Sequence, residues 1–264
     1  MTRGRLGLSG WFWLGVATLY FLVPLAATAE FSLKEVDGYG FSSYRFILDD
    51  PQFRETLWQS FQLSLLTVGI SLAIFVPAVY WVNLRYPGIR RVVEFLSVLP
   101  FVVPPIVLIV GLLYIYKASW LPEWVLGNPR YLVPGYVVLS FPFMYRSLDA
   151  AFRSIDVHTL TEAAQSLGAG WTTTLRRVIL PNIRAGALSG AFLTLALVMG
   201  EFTMANVALF TTFPVYINYV GQTQSNPAAA LTIISFGITW LAMVGILLLG
   251  RRPGRGAIQV GGAR

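Results

Sequence analysis

The sequence predicts an all-α, polytopic membrane protein with six transmembrane helices. Its composition, its charge-free runs and the placement of its arginines all point there. Hydrophobic residues make up 56% of the 264 residues and charged residues 12%, about half the ~25% typical of soluble domains. Mean hydropathy is +0.65, and so few charges do not cover the surface of a soluble 29.2 kDa chain. Disorder is excluded by the same apolar content. Cysteine is absent, which excludes disulfides and thiolate chemistry. The single histidine, His158, makes an imidazole-rich metal centre a poor expectation, and no metal site is expected.

The runs follow in order. Leu6–Ala29 is charge-free over 24 residues, roughly 36 Å of helix against a ~30 Å hydrocarbon core. Arg3 and Arg5 before it, and Ala27-Thr28-Ala29 at its end, also suit a signal peptide, but signal cores are about 7–15 apolar residues, so an uncleaved helix is expected. Thr56–Leu84 is the second run, and Phe95–Tyr116, with Pro100, Pro104 and Pro105 at or inside it, is the third. Tyr131–Tyr145 is short and is expected to extend past its flanking charges; Ala185–Gly200 is expected to continue beyond Glu201 towards Phe210; Pro227–Gly250 is the sixth. Polar stretches at Glu30–Glu55, Lys117–Arg130 and Thr211–Asn226 separate them.

Basic residues orient the bundle. With both termini cytoplasmic, inner segments hold fourteen of the 19 lysines and arginines and outer segments only Lys34, Arg45, Arg54, Lys117 and Arg130. The first outer loop is acidic, with Glu30, Glu35, Asp37, Asp49, Asp50 and Glu55. Trp11, Phe12, Trp13, Trp120 and Trp124 read as interface anchors in membrane lipid. Arg251–Arg255 reads as a membrane-surface stop signal, not a nucleic-acid site.

The longest inner segment, Arg146–Arg184, begins with good helix formers and is interrupted by Gly168 and Gly170. Gly168 suits a helix C-cap in the left-handed region. A second short helix is expected from Thr172, as its cap, to Leu180, with Pro181 ending it or starting the next span. Small residues Ala163, Ala164, Gly168, Ala169 and Gly170 allow another surface to approach closely, and Glu162 can reach an arginine or a helix N-terminus.

Glu162-Ala163-Ala164, Gly168 and Val178-x-Leu180-Pro181, at this spacing before the last two spans, resemble the EAA loop of binding-protein-dependent ABC importer permeases. The resemblance covers about Gln59 to Gly250 and implies a type I importer permease fold in a bacterial cytoplasmic (inner) membrane. It implies that the loop, 146–184, is a coupling helix docking on ABC ATPase subunits through Glu162, Ala163, Ala164, Gly168, Ala169, Leu180 and Pro181. It also implies a second, different permease chain and an external substrate-binding protein as partners. The domains expected are 1–56 (first helix and extracytoplasmic loop), 57–250 (permease domain) and 251–264 (basic cytoplasmic tail). The chain has no Gly-Lys-[Ser/Thr] phosphate loop, since Lys34 precedes Glu35 and Lys117 precedes Ala118. ATP and Mg are therefore expected on the partner ATPase, with no cofactor in this chain and no enzymatic activity of its own. Phe101–Tyr116 and Met199–Ile217 look like the polyamine group of these permeases, which implies a polyamine or similar small organic cation; related groups carry thiamine, ferric iron, phosphonates or sulfate.

Glu201 is an isolated carboxylate between Ala185 and Gly250. An intramembrane carboxylate costs about 2.5–3.5 kcal/mol on insertion scales, so it is expected to face a cavity or a partner. Two roles fit: a cation contact on the translocation path, or a hydrogen-bonded structural group. Pro100, Pro104 and Pro105 equally suit a flexible gate on that path or a fixed kink. His158 reads as a surface histidine. The rival classes are a stand-alone secondary transporter, with Glu201 as its ion-coupling site, and a membrane enzyme, for which no His/Asp/Glu cluster at catalytic spacing exists.

Overall fold

The computed structural model describes residues 8–35, 38–118 and 127–250. Arg3, Arg5, Asp37, Trp120, Trp124 and the tail from Arg251 lie outside them. The described residues are mostly helical, with one two-stranded antiparallel hairpin that pairs Lys34 with Tyr39 and Glu35 with Gly38. They pack as two compact units, the described residues up to Gln59 with Thr211–Thr239, and those of Ser60–Phe210 with Trp240–Gly250.

The first unit holds α1 (Leu8–Leu33), the hairpin, α2 (Ser42–Asp49) and the start of α3 (Pro51–Leu84). Trp11, Phe12 and Trp13 on α1 are exposed, as lipid-facing anchors require. Glu35 accepts the Ser42 amide at 2.9 Å; a hydrogen bond from the Ser42 side chain, and then that amide, hold its carboxyl below the usual range. Tyr216 donates to Asp50 at 2.6 Å, and the Phe53 and Phe213 rings meet edge-on.

The second unit carries the loop of interest. It contains α4 (Arg90–Val102), α5 (Pro105–Ala118), α6 (Val133–Arg153), α7 (Val157–Ser166), and a helix that starts as α8 (Trp171–Thr174) and continues into α9 (Leu180–Gly200). After α9 comes the short α10 (Thr203–Val207). Its core is Val76, Tyr80, Met144, Tyr145, Leu148 and Phe152 with Leu175, Ile179 and Ile183. Helices α6 and α9 run close because Gly186 and Gly190 face Ser147 and Met144 with no side chain between.

Among the described residues, four helices are long and apolar enough to cross a membrane: Ser9–Leu33, Pro51–Leu84, Trp171–Gly200 and Ser225–Gly245, the last within α12 (Ser225–Gly250). A bent pair, Pro87–Val102 with Pro105–Lys117, makes five if counted as one span. The expected fourth run falls on α6, whose 21 residues are long enough but include Arg146, Asp149 and Arg153.

Several expectations of local structure change. The third run is not one helix: α4 and α5 meet at 97°. Val103, held extended at ψ 114° as a residue before proline must be, ends α4, and Pro105 starts α5. The fifth run does not continue towards Phe210, because Glu201 is extended (ψ 112°) and stops α9 at Gly200. The helix after Gly170 is not separate, and Thr172 is not its cap; Gly170 is. It runs through a π turn at Leu175–Ile179 into α9. A proline in a regular helix clashes with the carbonyl four residues back; for Pro181 that is Arg177, within the π turn, whose wider winding makes room. The polar stretch Thr211–Asn226 contains a helix, α11 (Phe213–Thr223). Residue 56, the expected domain edge, lies inside α3.

Candidate docking loop and membrane path

Helix α7 starts at Asp156, whose carboxylate accepts the Thr159 hydroxyl at 2.7 Å and the Thr159 amide at 3.1 Å. These two bonds, the hydroxyl's first, hold the carboxyl below the usual carboxylate range. The helix is anchored to α3 by Tyr80, whose hydroxyl lies 3.2 Å from that of Thr161. Val157, Thr161 and Ala164 are buried, which leaves His158, Glu162 and Ala163 on the exposed face.

The helix ends in a closed turn. Gly168 adopts φ +81°. Its amide donates to the Gln165 carbonyl at 2.8 Å, and the Ala169 amide reaches back to the Ala164 carbonyl at 3.0 Å. That pair of bonds is the Schellman closure of a helix, as the sequence position of Gly168 suggested. The turn projects Leu167, 90% exposed, away from the unit. Leu167 was missed by sequence reasoning; a lone leucine between Ser166 and a C-terminal glycine was the available signal. Trp171 beyond the turn is also exposed, and its ring lies 6.4 Å from that of Trp81.

The structure gathers Glu162, Ala163, Ala164, Gly168 and Ala169 into one helix and turn. Ala164 is buried and serves the fold rather than the exposed face. Leu180 and Pro181 are not part of the turn; they lie past the π turn at the start of α9.

The path candidates occupy a second region. Glu201 is 9% exposed, and both its oxygens face the Met204 amide at 3.0 and 3.1 Å. The carboxylate thereby satisfies the free amide end of α10. Helix α10 packs against α5, which begins at Pro105. Pro104 is exposed at the bend, and its carbonyl accepts Val107 and Leu108 amides. Among the described residues no group of three or more His, Cys, Asp or Glu side chains is arranged to hold a metal.

Comparison with known proteins bears on these features. The family described as binding-protein-dependent transport system inner membrane component matches residues 65–255. A probable ABC transporter permease of Sinorhizobium fredii is 28% identical over 262 residues, covering 90% of this chain; the chain spans only 45% of that relative's length. The spermidine/putrescine transport system permease protein PotB of Haemophilus influenzae is 27% identical, over 71% of this chain and 72% of its own. The sulfate transport system permease protein CysW of Escherichia coli is 30% identical, over 75% of this chain and 70% of its own. In fold, the crystal structure of a bacterial alginate ABC transporter complexed with a pentasaccharide-bound periplasmic protein contains a chain that matches with a TM-score of 0.68. The identity there is 18%, over 94% of this chain and 96% of that one.

Proposed function

We propose that this chain, which belongs to the binding-protein-dependent transport system inner membrane components, docks a separate ATPase on the α7 turn and forms part of a solute path through the membrane. The family consists of transport subunits, not enzymes. The observation that carries the docking reading is the Schellman-closed turn, which holds Leu167 outside the packed unit on the segment bearing Glu162, Ala163 and Gly168. An exposed leucine on a rigid, hydrogen-bonded turn suits an apolar pocket on a partner, because little conformational entropy is lost when it docks.

In this reading six crossings are made by α1, α3, the bent α4–α5 pair, α6, Trp171–Gly200 and α12. Arginine placement supports cytoplasmic termini and a cytoplasmic α7 turn. ATP and Mg sit on the ATPase; its closure moves the turn, and the spans alternate between inward and outward openings. A second permease chain completes the path, and an external binding protein delivers the solute. Pro104, Pro105 and Glu201 border the path where α10 packs on α5. A cationic solute reaching Glu201 has to compete with the Met204 amide for its oxygens.

The solute is a small one. A polyamine is supported by the Phe101–Tyr116 and Met199–Ile217 segments and by the spermidine/putrescine relative; a small oxyanion is supported by the sulfate relative. Affinity purification of the tagged chain from its native membrane tests the reading. An ATPase subunit should co-purify, and the reconstituted complex should take up solute only with ATP. Uptake by the chain alone, driven by an ion gradient, contradicts it. Competition between unlabelled spermidine and sulfate then separates the two solute classes.

A further inference from the structure

Asp149 lies in the last turn of α6, just before the docking loop, and is 6% exposed. One guanidinium nitrogen of Arg90 bridges both its carboxylate oxygens, at 2.7 and 2.9 Å. Arg153 reaches the same carboxylate at 2.9 Å from the solvent side. Arg90 is the first residue of α4, and α4 ends at the 97° break before Pro104. At that far end Phe101 meets Phe143 of α6 edge-on, with ring centroids 5.4 Å apart. Helix α4 is thus fastened to α6 at both ends, by an ion pair beside the docking loop and by a ring contact beside the break. Its 13 residues, with Pro100 in the last turn, form a rod of roughly 20 Å.

We propose that the Arg90–Asp149 pair is the joint that carries movement of the docking loop to the broken helix pair α4–α5. The proposal rests on the docking reading above. Charge-assisted bonds in a poorly solvated site are stronger and more directional than apolar contacts, which slide. Coupling between distant sites needs such elements with discrete arrangements. Asp149 and Arg90 act here as positioning residues; neither is placed on the solute path.

The chain has no cysteine, so single thiols report on both ends of the rod. In the complex with its ATPase, Ser166→Cys, at an exposed position next to Leu167, reports docking by protection from maleimide. Val103→Cys, at an exposed position in the break, reports movement by the ratio of its labelling rates with and without ATP. In the parent complex that ratio should depart from unity by about twofold or more, and Asp149→Asn should return it to about one while Ser166→Cys stays protected. Arg90→Lys, which keeps the charge but not the bridging geometry, should lie between. An unchanged Val103→Cys ratio in assembled Asp149→Asn overturns the joint. So does an ATP-insensitive Val103→Cys in the parent, or loss of assembly in both variants, which assigns the pair to stability alone. Lack of Ser166→Cys protection in the parent instead overturns the docking reading.

Discussion

Leu209 occupies, at φ 62°, the place in its helix-ending turn that Gly168 occupies at φ 81° in the other. Both turns close the same way: Leu209 donates to Asn206 and Phe210 to Ala205, as Gly168 donates to Gln165 and Ala169 to Ala164. A side chain in the left-handed region costs about 1–2 kcal/mol, and Leu209 is 91% exposed, so packing does not offset it. Leu209→Gly is expected to stabilise the chain by about 0.5–1 kcal/mol after the greater flexibility of unfolded glycine is deducted. A rise of the thermal midpoint in detergent checks this; a fall shows that Leu209 makes a stabilising contact.

Gly168→Asp should leave the chain inserted and abolish ATP-dependent uptake. A Cβ at Gly168 meets nothing within 4 Å in this chain, and Asp tolerates the left-handed region better than most residues. Loss therefore comes from the partner's surface, where an unpaired buried charge costs about 2–5 kcal/mol. Uptake in membranes with matched amounts of the variant is the check, and normal uptake removes this glycine from the docking face.

Gly186→Ala should destabilise the contact between α6 and α9. The added methyl meets Ala151 and lies 2.6 Å from the Ser147 carbonyl oxygen, which as backbone cannot easily yield. Overpacking of this kind costs about 1–3 kcal/mol. The thermal midpoint should fall, and by more than for Gly245→Ala, where nothing lies within 4 Å; equal midpoints contradict the packing.

Glu201→Gln keeps an acceptor for the Met204 amide and removes the charge. If a cationic solute meets this carboxylate, uptake should slow or its half-saturation rise by about tenfold, the worth of one charge-assisted contact, with the thermal midpoint unchanged. Unchanged spermidine uptake leaves Glu201 as the cap of α10 alone.

Much of α7 and its closing turn was legible because its signals are local. Gly168 after a run of helix formers marks a left-handed C-cap, while the exposure of Glu162 and the burial of Ala164 came only with the structure. Pro104 and Pro105 marked the place of the break, but the 97° between α4 and α5 depends on what each half packs against. Pro181 lies where one of its two readings put it, at the start of α9; that the helix from Trp171 runs on into α9 was not legible, because the π turn before Pro181 departs from the regular helix the proline rule assumes. The Arg90–Asp149 pair was illegible for a different reason: its members are 59 residues apart, and each reads alone as one more charge on an inner segment. Helix α11 was hidden because Pro214 sits in its first turn, where a proline does not break a helix.

The most direct test of ATPase docking uses Leu167→Cys, the one thiol in an otherwise cysteine-free chain, in the complex purified with its ATPase. A short bismaleimide should join this position to the ATPase subunit. In intact cells a membrane-impermeant maleimide should leave it unlabelled. Labelling from outside, or a full yield of labelled chain with no ATPase adduct, contradicts the docking of this turn on a cytoplasmic ATPase.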